Sequence, residues 1–234
     1  MIYGMIVGGG IGRRMGSEIP KQFLQVGGQA IISHTVKTFL SNDRLDEVIA
    51  LVPEDWVEET KQLFRDDLGE QPRLHVIAGG RLRNDTIMNG IAFIKERDPD
   101  SSNAVLITHD AVRPFVTNEI INANIEALRT YTACDTVIPA TDTIVKSEDG
   151  RIIDSVPDRA TLYQGQTPQS FRLGTFEELY LSLTEAEKEK LTDAAKVFVM
   201  KGREVALVPG ASSNIKITYP SDINLARAIL AEEQ

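Results

Sequence analysis

Short apolar runs alternate with longer amphipathic segments along the first half of the chain. Four runs rich in β-branched and aliphatic residues predict buried strands, at residues 2–7, 48–52, 74–78 and 104–108. Four amphipathic segments predict helices, at residues 30–40, 54–64 and 81–95 and from Thr117 onwards. The clearest helical spacing is that of Ile87, Ile91 and Ile94. This alternation predicts an α/β fold with a doubly wound, mostly parallel sheet.

The rhythm changes in the middle of the chain, where short β-like pieces are broken by turn residues. Asp149-Gly150 predicts a tight turn, with isoleucine and valine pairs on either side at residues 144–145 and 152–153. We interpret residues 137–160 as a projecting β-arm and not as a second domain. Because such an arm cannot bury its apolar side chains alone, we expect it to pack on a partner, often a second subunit.

Regular patterns return in the last third of the chain. They predict two helices, then two strands, then a closing helix, at residues 171–183, 193–200, 205–208 and 215–218 and from Pro220. The chain has 234 residues and no repeat or low-complexity tract. It therefore suits one α/β domain over residues 1–234.

Charge narrows the classes of partner. The chain has 25 Lys and Arg against 34 Asp and Glu, a formal net charge of −9. A sequence-independent nucleic-acid binder needs a basic face, so we expect no nucleic-acid partner. An anionic ligand must instead be held by a local cluster of cations, against the overall field.

The cysteine count and the hydropathy exclude further kinds of site and of cellular location. The single cysteine, Cys134, excludes an internal disulfide framework and a multi-cysteine metal site. It has no evident His or Asn partners in the sequence, and no G-x-S-x-G motif occurs, so covalent catalysis is disfavoured. No apolar stretch approaches the ~20 residues of a membrane span, and the N-terminus lacks the basic start and long apolar run of a signal peptide. We therefore expect a cytoplasmic protein without a membrane partner.

The first predicted strand runs into a glycine-rich loop, with glycines at positions 8, 9, 10 and 12. Glycines let backbone N–H groups approach a phosphate closely. The dinucleotide pattern G-x-G-x-x-G fails because Arg13 and Met15 stand where glycine is needed, and no Walker A motif follows. The cations Arg13, Arg14 and Lys21 beside the loop suit a triphosphate. A structural turn with solvated charges is the alternative.

Two further segments stand beyond predicted strand ends, where ligands bind in open α/β sheets. Gly80, Arg83 and Thr86 lie at a predicted helix N-terminus, which suits an anion or the polar edge of a base. A plain capped loop is the alternative there. After the fourth strand, Asp110 is suited to orient a hydroxyl or help hold Mg²⁺, and Arg113 to hold a phosphate. An internal ion pair between these two residues is the alternative.

The last third carries polar side chains at high density. Residues 161–169 combine hydroxyl and amide groups, as sugar or polyol recognition requires, and a turn-rich loop is the alternative. Thr192 is either a ligand contact or part of a helix N-cap with Asp193. Lys216 is either an exposed cation or a phosphate contact. We expect His109, by contrast, to be packed and hydrogen-bonded and not a base.

Seven sequence motifs stand in a fixed order, most of them in the segments above. They are GGGIGRRMG with PKQFL, AGGRxRxDT, HDAVRPF, TDT, QTPQSF, LTDA and NIKIT. In order and spacing, over nearly the whole chain, they resemble the sugar- and polyol-phosphate cytidylyltransferases. The resemblance implies a Rossmann-like nucleotidyltransferase fold. One departure, Val7 followed by three glycines, adds flexibility to the loop.

The family includes a 2-C-methyl-D-erythritol 4-phosphate branch and a D-ribitol 5-phosphate branch. Residues 159–169, Val112 and residues 196–198 look like the ribitol branch. This implies transfer of a cytidylyl group from CTP to D-ribitol 5-phosphate, giving CDP-ribitol and pyrophosphate for teichoic-acid or capsule polymer synthesis. The alternatives are the methylerythritol acceptor of isoprenoid synthesis and a non-catalytic nucleotide-binding module. An NAD(P)-linked oxidoreductase is disfavoured because its glycine fingerprint is absent.

The resemblance also implies a role for each site residue. The groups that neutralise the reacting phosphates are Arg14, Lys21 and Lys216. The nucleotide-binding residues are Gly8, Gly9, Gly10, Gly12, Gly80, Arg83 and Thr86. The acceptor-binding residues are Asp110, Arg113, Thr143, Arg159, Thr167 and Thr192. Two of these, Thr143 and Arg159, are implied to reach from the arm into the neighbouring subunit of a homodimer. Mg²⁺ or another divalent cation is expected to bridge the phosphates near Asp110, and a ribulose-5-phosphate reductase is the implied source of the acceptor.

Overall fold

The structure, a computed structural model, describes residues 1–10 and 19–232. Its strands are β1 (Ile2–Val7), β2 (Gln25–Val26), β3 (Gln29–Ala30), β4 (Glu47–Val52), β5 (Leu74–Ala78), β6 (Val105–Asp110), β7 (Ala133–Pro139), β8 (Tyr163–Arg172) and β9 (Ala206–Pro209). Its α-helices are α1 (Ile31–Leu40), α2 (Val57–Leu68), α3 (Arg83–Arg97), α4 (Asn118–Ala127), α5 (Leu173–Leu181), α6 (Glu185–Glu189), α7 (Ala195–Met200) and α8 (Pro220–Glu232). Among these helices of the described residues, none combines the length and apolar character needed to span a membrane.

Seven strands form one sheet in the order β5-β4-β1-β6-β8-β7-β9. The four strands β5, β4, β1 and β6 pair in parallel. Strand β8 runs antiparallel to both of its neighbours, β6 and β7, and β9 is parallel to β7. The prediction of a mostly parallel sheet is therefore confirmed. The strands β2 and β3 form a separate small hairpin.

Helices cover both faces of the sheet, which confirms the doubly wound architecture. Along β4, Val48, Ala50 and Val52 pack with α1, α2 and α4 on one face. Ile49 and Leu51 point the other way and pack with α3, α5 and α7. The central strands are apolar in nearly every position because both of their faces are buried. This is also why the first four predicted strands match the observed ones closely.

The segment that follows β9 packs on a smaller apolar cluster. Val112, Phe115 and Ile217 pack there with α8, through its residue Ala226. The predicted strand at residues 215–218 is wrong, because this segment belongs to no strand of the structure. Its alternating pattern arises because Ile217 is buried in the cluster, while its backbone N–H donates to the Val112 carbonyl at 2.9 Å. We call residues 214–218 the strap.

The longest strand, β8, was not predicted. Its residues 163–169 fall in the segment for which a ligand-binding stretch or a turn-rich loop was expected, and Phe171 was assigned to a helix that in fact begins at Leu173. The strand pairs with β6 and β7 through its backbone. Because its side chains are mostly polar, its sequence lacks the hydrophobic periodicity that predicts a strand. It is this strand that carries polar groups from the sheet into the site.

The segment between β7 and β8 lies outside the sheet and contains most of the residues interpreted above as an arm, although residues 137–139 belong to β7. It turns at Gly150, whose φ of 70° suits glycine, and the Asp149 carboxylate accepts from the Arg151 and Ile152 N–H groups at 2.8 and 3.0 Å. A single antiparallel bridge joins Lys146 to Ser155. Five large apolar side chains of this segment are exposed: Ile144, Val145, Ile152, Ile153 and Val156.

Candidate active site

A cleft of about 390 Å³ opens at the carboxyl ends of β1 and β6. The glycine loop after β1 forms one wall, and the loop before α3 forms the opposite wall. The strap closes the third side with Lys216 and Thr218. The described residues that line the cleft include Gly8, Gly9, Gly10, Lys21, Gly80, Arg83, Thr86, Asp110 and Lys216. The predicted residues Gly12 and Arg14 lie outside the described residues, as does Arg13.

The described part of the glycine loop is held by one buried amide. The Gln22 Nε2 donates to the Gly8 carbonyl at 2.6 Å and to the Gly10 carbonyl at 3.1 Å. Gly8 also donates its N–H to the Leu51 carbonyl at 2.8 Å. A Cβ built on Gly10 would meet no atom of residues 1–10 or 19–232 within 4 Å, so this position faces open space among the described parts of the cleft wall. The loop is thus held through its carbonyl groups by Gln22 and is open towards the cleft, as a backbone anion site requires.

The loop before α3 crowds a glycine of the first loop and a glycine of its own. A Cβ on Gly9 would lie 3.0 Å from the Thr86 Oγ1, and one on Gly80 would lie 2.6 Å from the Asp85 Cβ. Thr86 ties its own loop together, because its Oγ1 accepts from the Gly80 N–H at 3.0 Å and donates to the Leu82 carbonyl at 2.9 Å. The glycines here are required by packing as well as by any ligand.

Three cations surround Asp110 at the end of β6. Its carboxylate lies 2.8 Å from the Lys216 Nζ, 3.3 Å from the Arg83 Nε and 3.6 Å from the Arg113 Nε. Burial opposes ionisation of this carboxyl, but the charges of Arg83, Lys216 and Arg113 outweigh it and hold the pKa of Asp110 well below its usual range. The ion pair with Arg113, given above as the alternative to ligand contacts, is therefore present as one part of a larger cluster.

The arginines of this cluster have donors to spare. Arg83 Nη1 and Nη2 and Arg113 Nε are buried and find no hydrogen-bond acceptor among the described residues. Buried donors without partners are costly, so they mark places where a ligand supplies the acceptor. A phosphate oxygen suits a guanidinium in geometry and in charge. The cluster is thus ready to bind phosphate.

A second lobe of about 170 Å³ adjoins the first and shares Arg83, Asp110 and Lys216 with it. The other residues that line this lobe are Arg113, Gly165, Gln166, Thr167, Gln169, Thr192 and Asp193. It therefore contains the predicted acceptor residues Arg113, Thr167 and Thr192. Because the three shared residues stand at the junction, a group in one lobe lies directly beside a group in the other.

The strap reaches the site through several hydrogen bonds. The Lys21 Nζ donates to the Ile217 carbonyl at 2.8 Å, and the Arg113 Nη1 donates to the Asn214 carbonyl at 2.8 Å. The Asn214 Nδ2 in turn donates to the Thr167 carbonyl at 2.8 Å. These bonds link the glycine loop, β8 and the loop after β6, so Lys216 is carried by a segment that is fixed at both ends.

His109 is packed beneath the site, as predicted. It is fully buried, its Nε2 donates to the Arg113 carbonyl at 3.0 Å, and its Nδ1 accepts from the Thr167 hydroxyl at 2.9 Å. Burial lowers the pKa of His109 to about 4, so it is neutral near pH 7. Cys134 is buried as well, and burial raises the pKa of its thiol to about 12. Neither group is available as a nucleophile or an acid-base catalyst.

Two predicted residues stay away from both lobes of their own chain. Thr143 and Arg159 belong to the arm and line neither lobe, and the Arg159 Nη1 donates to the Thr141 carbonyl at 2.9 Å. Conversely, the sequence predicted no individual role for Gln22, included Gln169 only in the polar stretch at residues 161–169, and gave Asp193 only a helix N-cap role. All three stand inside the quoted motifs, but nothing in the sequence separates them from their neighbours there.

The described residues hold no group of three or more His, Cys, Asp or Glu side chains arranged to bind a metal ion. Asp110 is the one carboxylate that lines the larger cleft within the described ranges. Magnesium in nucleotide sites commonly takes one or two carboxylates and completes its shell with phosphate and water oxygens. The donor set thus fits an ion that arrives with a phosphorylated ligand.

The fold and the site define a nucleotidyltransferase: a glycine loop and clustered cations at the carboxyl edge of a doubly wound sheet, with positioning groups in place of a nucleophile. A family model described as IspD, 2-C-methyl-D-erythritol 4-phosphate cytidylyltransferase, matches residues 2–232. The chain belongs to this family and is a cytidylyltransferase, which confirms that prediction.

Solved structures agree with the family assignment. A 4-diphosphocytidyl-2C-methyl-D-erythritol synthase from Anaerococcus prevotii is 30% identical with a TM-score of 0.82, over 99% of this chain and 96% of that one. The 2-C-methyl-D-erythritol 4-phosphate cytidylyltransferase from Francisella tularensis is 25% identical with a TM-score of 0.79, over 97% and 98%. The enzyme from Thermus thermophilus is 26% identical with a TM-score of 0.71, over 98% of both chains.

Proposed function

We propose that this cytidylyltransferase acts in the cytoplasm on CTP and D-ribitol 5-phosphate, and that it releases CDP-ribitol for teichoic-acid or capsule polymer synthesis and pyrophosphate. The observation that carries the proposal is the pair of lobes that meet at Asp110. The larger lobe has the glycine loop and volume suited to a nucleotide, and the smaller one suits a short phosphorylated chain.

The chemistry of the smaller lobe favours ribitol 5-phosphate over its branched relative. Every described residue that lines this lobe is polar, charged or glycine. Methylerythritol phosphate carries a methyl branch that would need an apolar contact, whereas the longer ribitol 5-phosphate carries one more hydroxyl and no branch. The names of the structural relatives favour methylerythritol 4-phosphate, which is the second candidate acceptor.

The reaction needs positioning and charge neutralisation more than proton transfer. A phosphate oxygen of the acceptor attacks the α-phosphorus of CTP in line, a P–O bond forms there, and the bond to the departing pyrophosphate breaks. The nucleophile is already an anion, so no general base is needed, which agrees with the neutral, packed state of His109. Two polyanions must be brought together, and this is the task of the cations.

The cations divide this task. Lys21, beside the glycine loop, neutralises the α-phosphate and the departing pyrophosphate. Arg14, outside the described residues, is assigned the same role from its place in the first motif. Lys216 contacts the α-phosphate from the strap, between the two lobes. Arg83 and Arg113 exchange part of their contact with Asp110 for phosphate oxygens, using the donors that have no partner in the described structure. A divalent cation held by Asp110 and the phosphates would add positive charge at the same junction.

The arm completes the proposal at the level of the assembly. Its exposed apolar residues support a role in contacting a second copy of the chain. In such a homodimer, Thr143 and Arg159 would enter the acceptor lobe of the partner, which is consistent with their distance from the lobes of their own chain.

Pyrophosphate release tests the function directly. The protein is incubated with CTP and Mg²⁺ and, in parallel, with D-ribitol 5-phosphate or 2-C-methyl-D-erythritol 4-phosphate. Fast release with ribitol 5-phosphate alone is the expected result. Fast release with methylerythritol phosphate alone would move the protein to isoprenoid synthesis and overturn the proposed acceptor.

A further inference from the structure

One wall of the smaller lobe is a loop that no strand carries. Residues 192–194, which we call loop 192–194, stand directly before α7, and two of them, Thr192 and Asp193, line the lobe. Thr192 is exposed, so its hydroxyl is open to a ligand. Within residues 1–10 and 19–232, no backbone hydrogen bond joins the loop to the sheet. Its direction is therefore set by hydrogen bonds from side chains.

The first of these side chains is the amide of Gln169 on β8. Its Oε1 accepts from the Ala194 N–H at 3.0 Å, and both residues are buried. Its amide nitrogen is occupied as well, because the Gln169 side chain hydrogen-bonds to the Asp135 carboxylate of β7, which only accepts when ionised. The backbone of Gln169 pairs with β6 and β7, and the Thr108 hydroxyl donates to its carbonyl at 2.6 Å. Gln169 thus ties the loop to the middle of the sheet.

The second side chain is the amide of Asn84, in the first turn of α3. Its Nδ2 donates to the Asp193 carbonyl at 3.3 Å, and the residue is buried. The residue before it, Arg83, lines both lobes. Asn84 therefore ties loop 192–194 to the helix end that carries Arg83 to the junction of the lobes.

Within the loop, Asp193 sets the direction of the Thr192 hydroxyl. Its Oδ1 accepts from the Lys196 N–H of α7 at 2.8 Å, and its Oδ2 accepts from the Thr192 Oγ1 at 3.2 Å. Because Thr192 donates its proton to Asp193, its oxygen keeps its lone pairs for a donor from the lobe. A polyol chain supplies such donors through its hydroxyl groups.

We propose that Gln169 and Asn84 are positioning residues for the acceptor: their amides hold loop 192–194 in the place from which the Thr192 hydroxyl accepts a hydrogen bond from the acceptor chain. Both amides act through the loop. This inference rests on the proposed function, because it takes the smaller lobe as the acceptor site, and it names the groups that shape that site. Such positioning matters for catalysis, since a misplacement of about 1 Å by a remote change can cost about 10²-fold in rate.

The test measures pyrophosphate release with CTP and the acceptor that the wild type uses, in Gln169→Met, Asn84→Ala and the matched control Asn89→Ala. Methionine keeps the length of glutamine, but its thioether is only a weak hydrogen-bond acceptor. We expect the KM for the acceptor to rise about 10-fold in Gln169→Met and about threefold in Asn84→Ala, whose hydrogen bond is longer. The KM for CTP should stay within about twofold of the wild type. Asn89 is exposed on α3 and lines neither lobe, so Asn89→Ala should leave both KM values unchanged.

A double-mutant cycle separates positioning from a merely structural role. Thr192→Val removes the hydroxyl that the loop presents, and alone it should lower kcat/KM for the acceptor about 10-fold. Because Gln169 acts through Thr192, the same change should cost no more than about twofold in the Gln169→Met background. A loss of stability unconnected with the acceptor would instead leave the two effects additive in free energy, and would lower kcat without raising the KM for the acceptor.

Two failures are distinguishable. If the wild type releases pyrophosphate with neither polyol phosphate, the proposed function is overturned, and the positioning role with it. If the wild type uses an acceptor but Gln169→Met keeps the wild-type KM for it, or if the effects of Gln169→Met and Thr192→Val are additive in free energy, the positioning role alone is overturned.

Discussion

Single residues at this site serve the fold and the ligand together, and Lys21 is the plainest case. Its Nζ donates to the strap at Ile217 while it stands beside the glycine loop. We predict that Lys21→Ala lowers kcat/KM by about 10²–10³-fold, because the cation faces charge that develops on the departing pyrophosphate. Steady-state pyrophosphate release measures this. Lys61→Ala, at a cation on α2 that lines neither lobe, should keep wild-type kinetics, and near-wild-type kcat/KM in Lys21→Ala would contradict the assignment.

The glycines at the cleft separate into two kinds, which a matched pair of alanine variants exposes. Gly10→Ala adds a methyl group where none of the described residues has an atom within 4 Å, so its melting temperature should match the wild type while the KM for CTP rises about 10-fold. Gly80→Ala places its Cβ 2.6 Å from the Asp85 Cβ, and we expect a loss of about 1–3 kcal/mol in unfolding free energy. Thermal melts with CTP titrations measure both. Equal CTP affinity in Gly10→Ala and the wild type would remove Gly10 from the nucleotide site.

The raised pKa of Asp135, on β7, predicts how the stability of the protein depends on pH. Its pKa is raised from 3.8 to about 6, so its favourable contribution is fully present below pH 3.8 and is lost as pH rises through about 6. Asp135→Asn should therefore gain about 2–3 kcal/mol of stability relative to the wild type between pH 4 and pH 7, with no further gain above. Urea denaturation across this range measures the difference. The exposed Asp43→Asn should show no such trend, and a pH-independent difference for Asp135→Asn would contradict the raised pKa.

At the scale of elements, the strap shows how packing places chemistry. Ile217 is fully buried against α8, and its neighbour Lys216 contacts Asp110. We predict that Ile217→Ala costs about 2–5 kcal/mol of stability and also lowers kcat, because the cavity loosens the segment that holds Lys216. Leu225→Ala, at an exposed position on α8, should change stability by less than about 0.5 kcal/mol. Chemical denaturation measures the loss of stability, and steady-state turnover measures kcat. An unchanged kcat in Ile217→Ala would show that the position of Lys216 does not depend on the apolar cluster.

Elements were predictable from the sequence where burial alone decides them. The strands β1, β4, β5 and β6 are buried between two layers of helices, so their composition reveals them. Strand β8 was missed because it is held by backbone pairing while its side chains are polar. The strap was predicted as a strand because its polar and apolar residues alternate, but its backbone pairs with no strand of the described sheet. Both errors fall on segments that line the site, where side chains are chosen for ligands and not for periodicity.

The candidate site itself was predictable mainly through ordered motifs. Those motifs selected Asp110 and Arg113 from one part of the chain and Lys216 from a distant part, and the structure brings them together. Spacing alone left an ion pair and an exposed cation as alternatives. The anchoring role of Gln22 and the burial of the Asp135 Oδ1 depend on tertiary contacts that no local pattern encodes.

At the scale of the whole molecule, the arm predicts a site shared between subunits. Purified Lys21→Ala and Arg159→Ala should each be poorly active, while their mixture should recover about a quarter of wild-type activity after subunit exchange. Half of the dimers are then mixed, and in each mixed dimer one site receives both intact residues. Activity assays with light scattering measure recovery and oligomeric state. A mixture no more active than its components would place Arg159 in its own chain's site or in none.

Asp110 and its cations have a further consequence, for thermodynamics. Asp110, Arg83 and Lys216 line both lobes. A ligand in one lobe therefore alters the surroundings of the other. Two ligands that occupy separate volumes are therefore energetically coupled through one carboxylate. Linkage is reciprocal, so by whatever factor the nucleotide changes the affinity for the acceptor, the acceptor must change the affinity for the nucleotide.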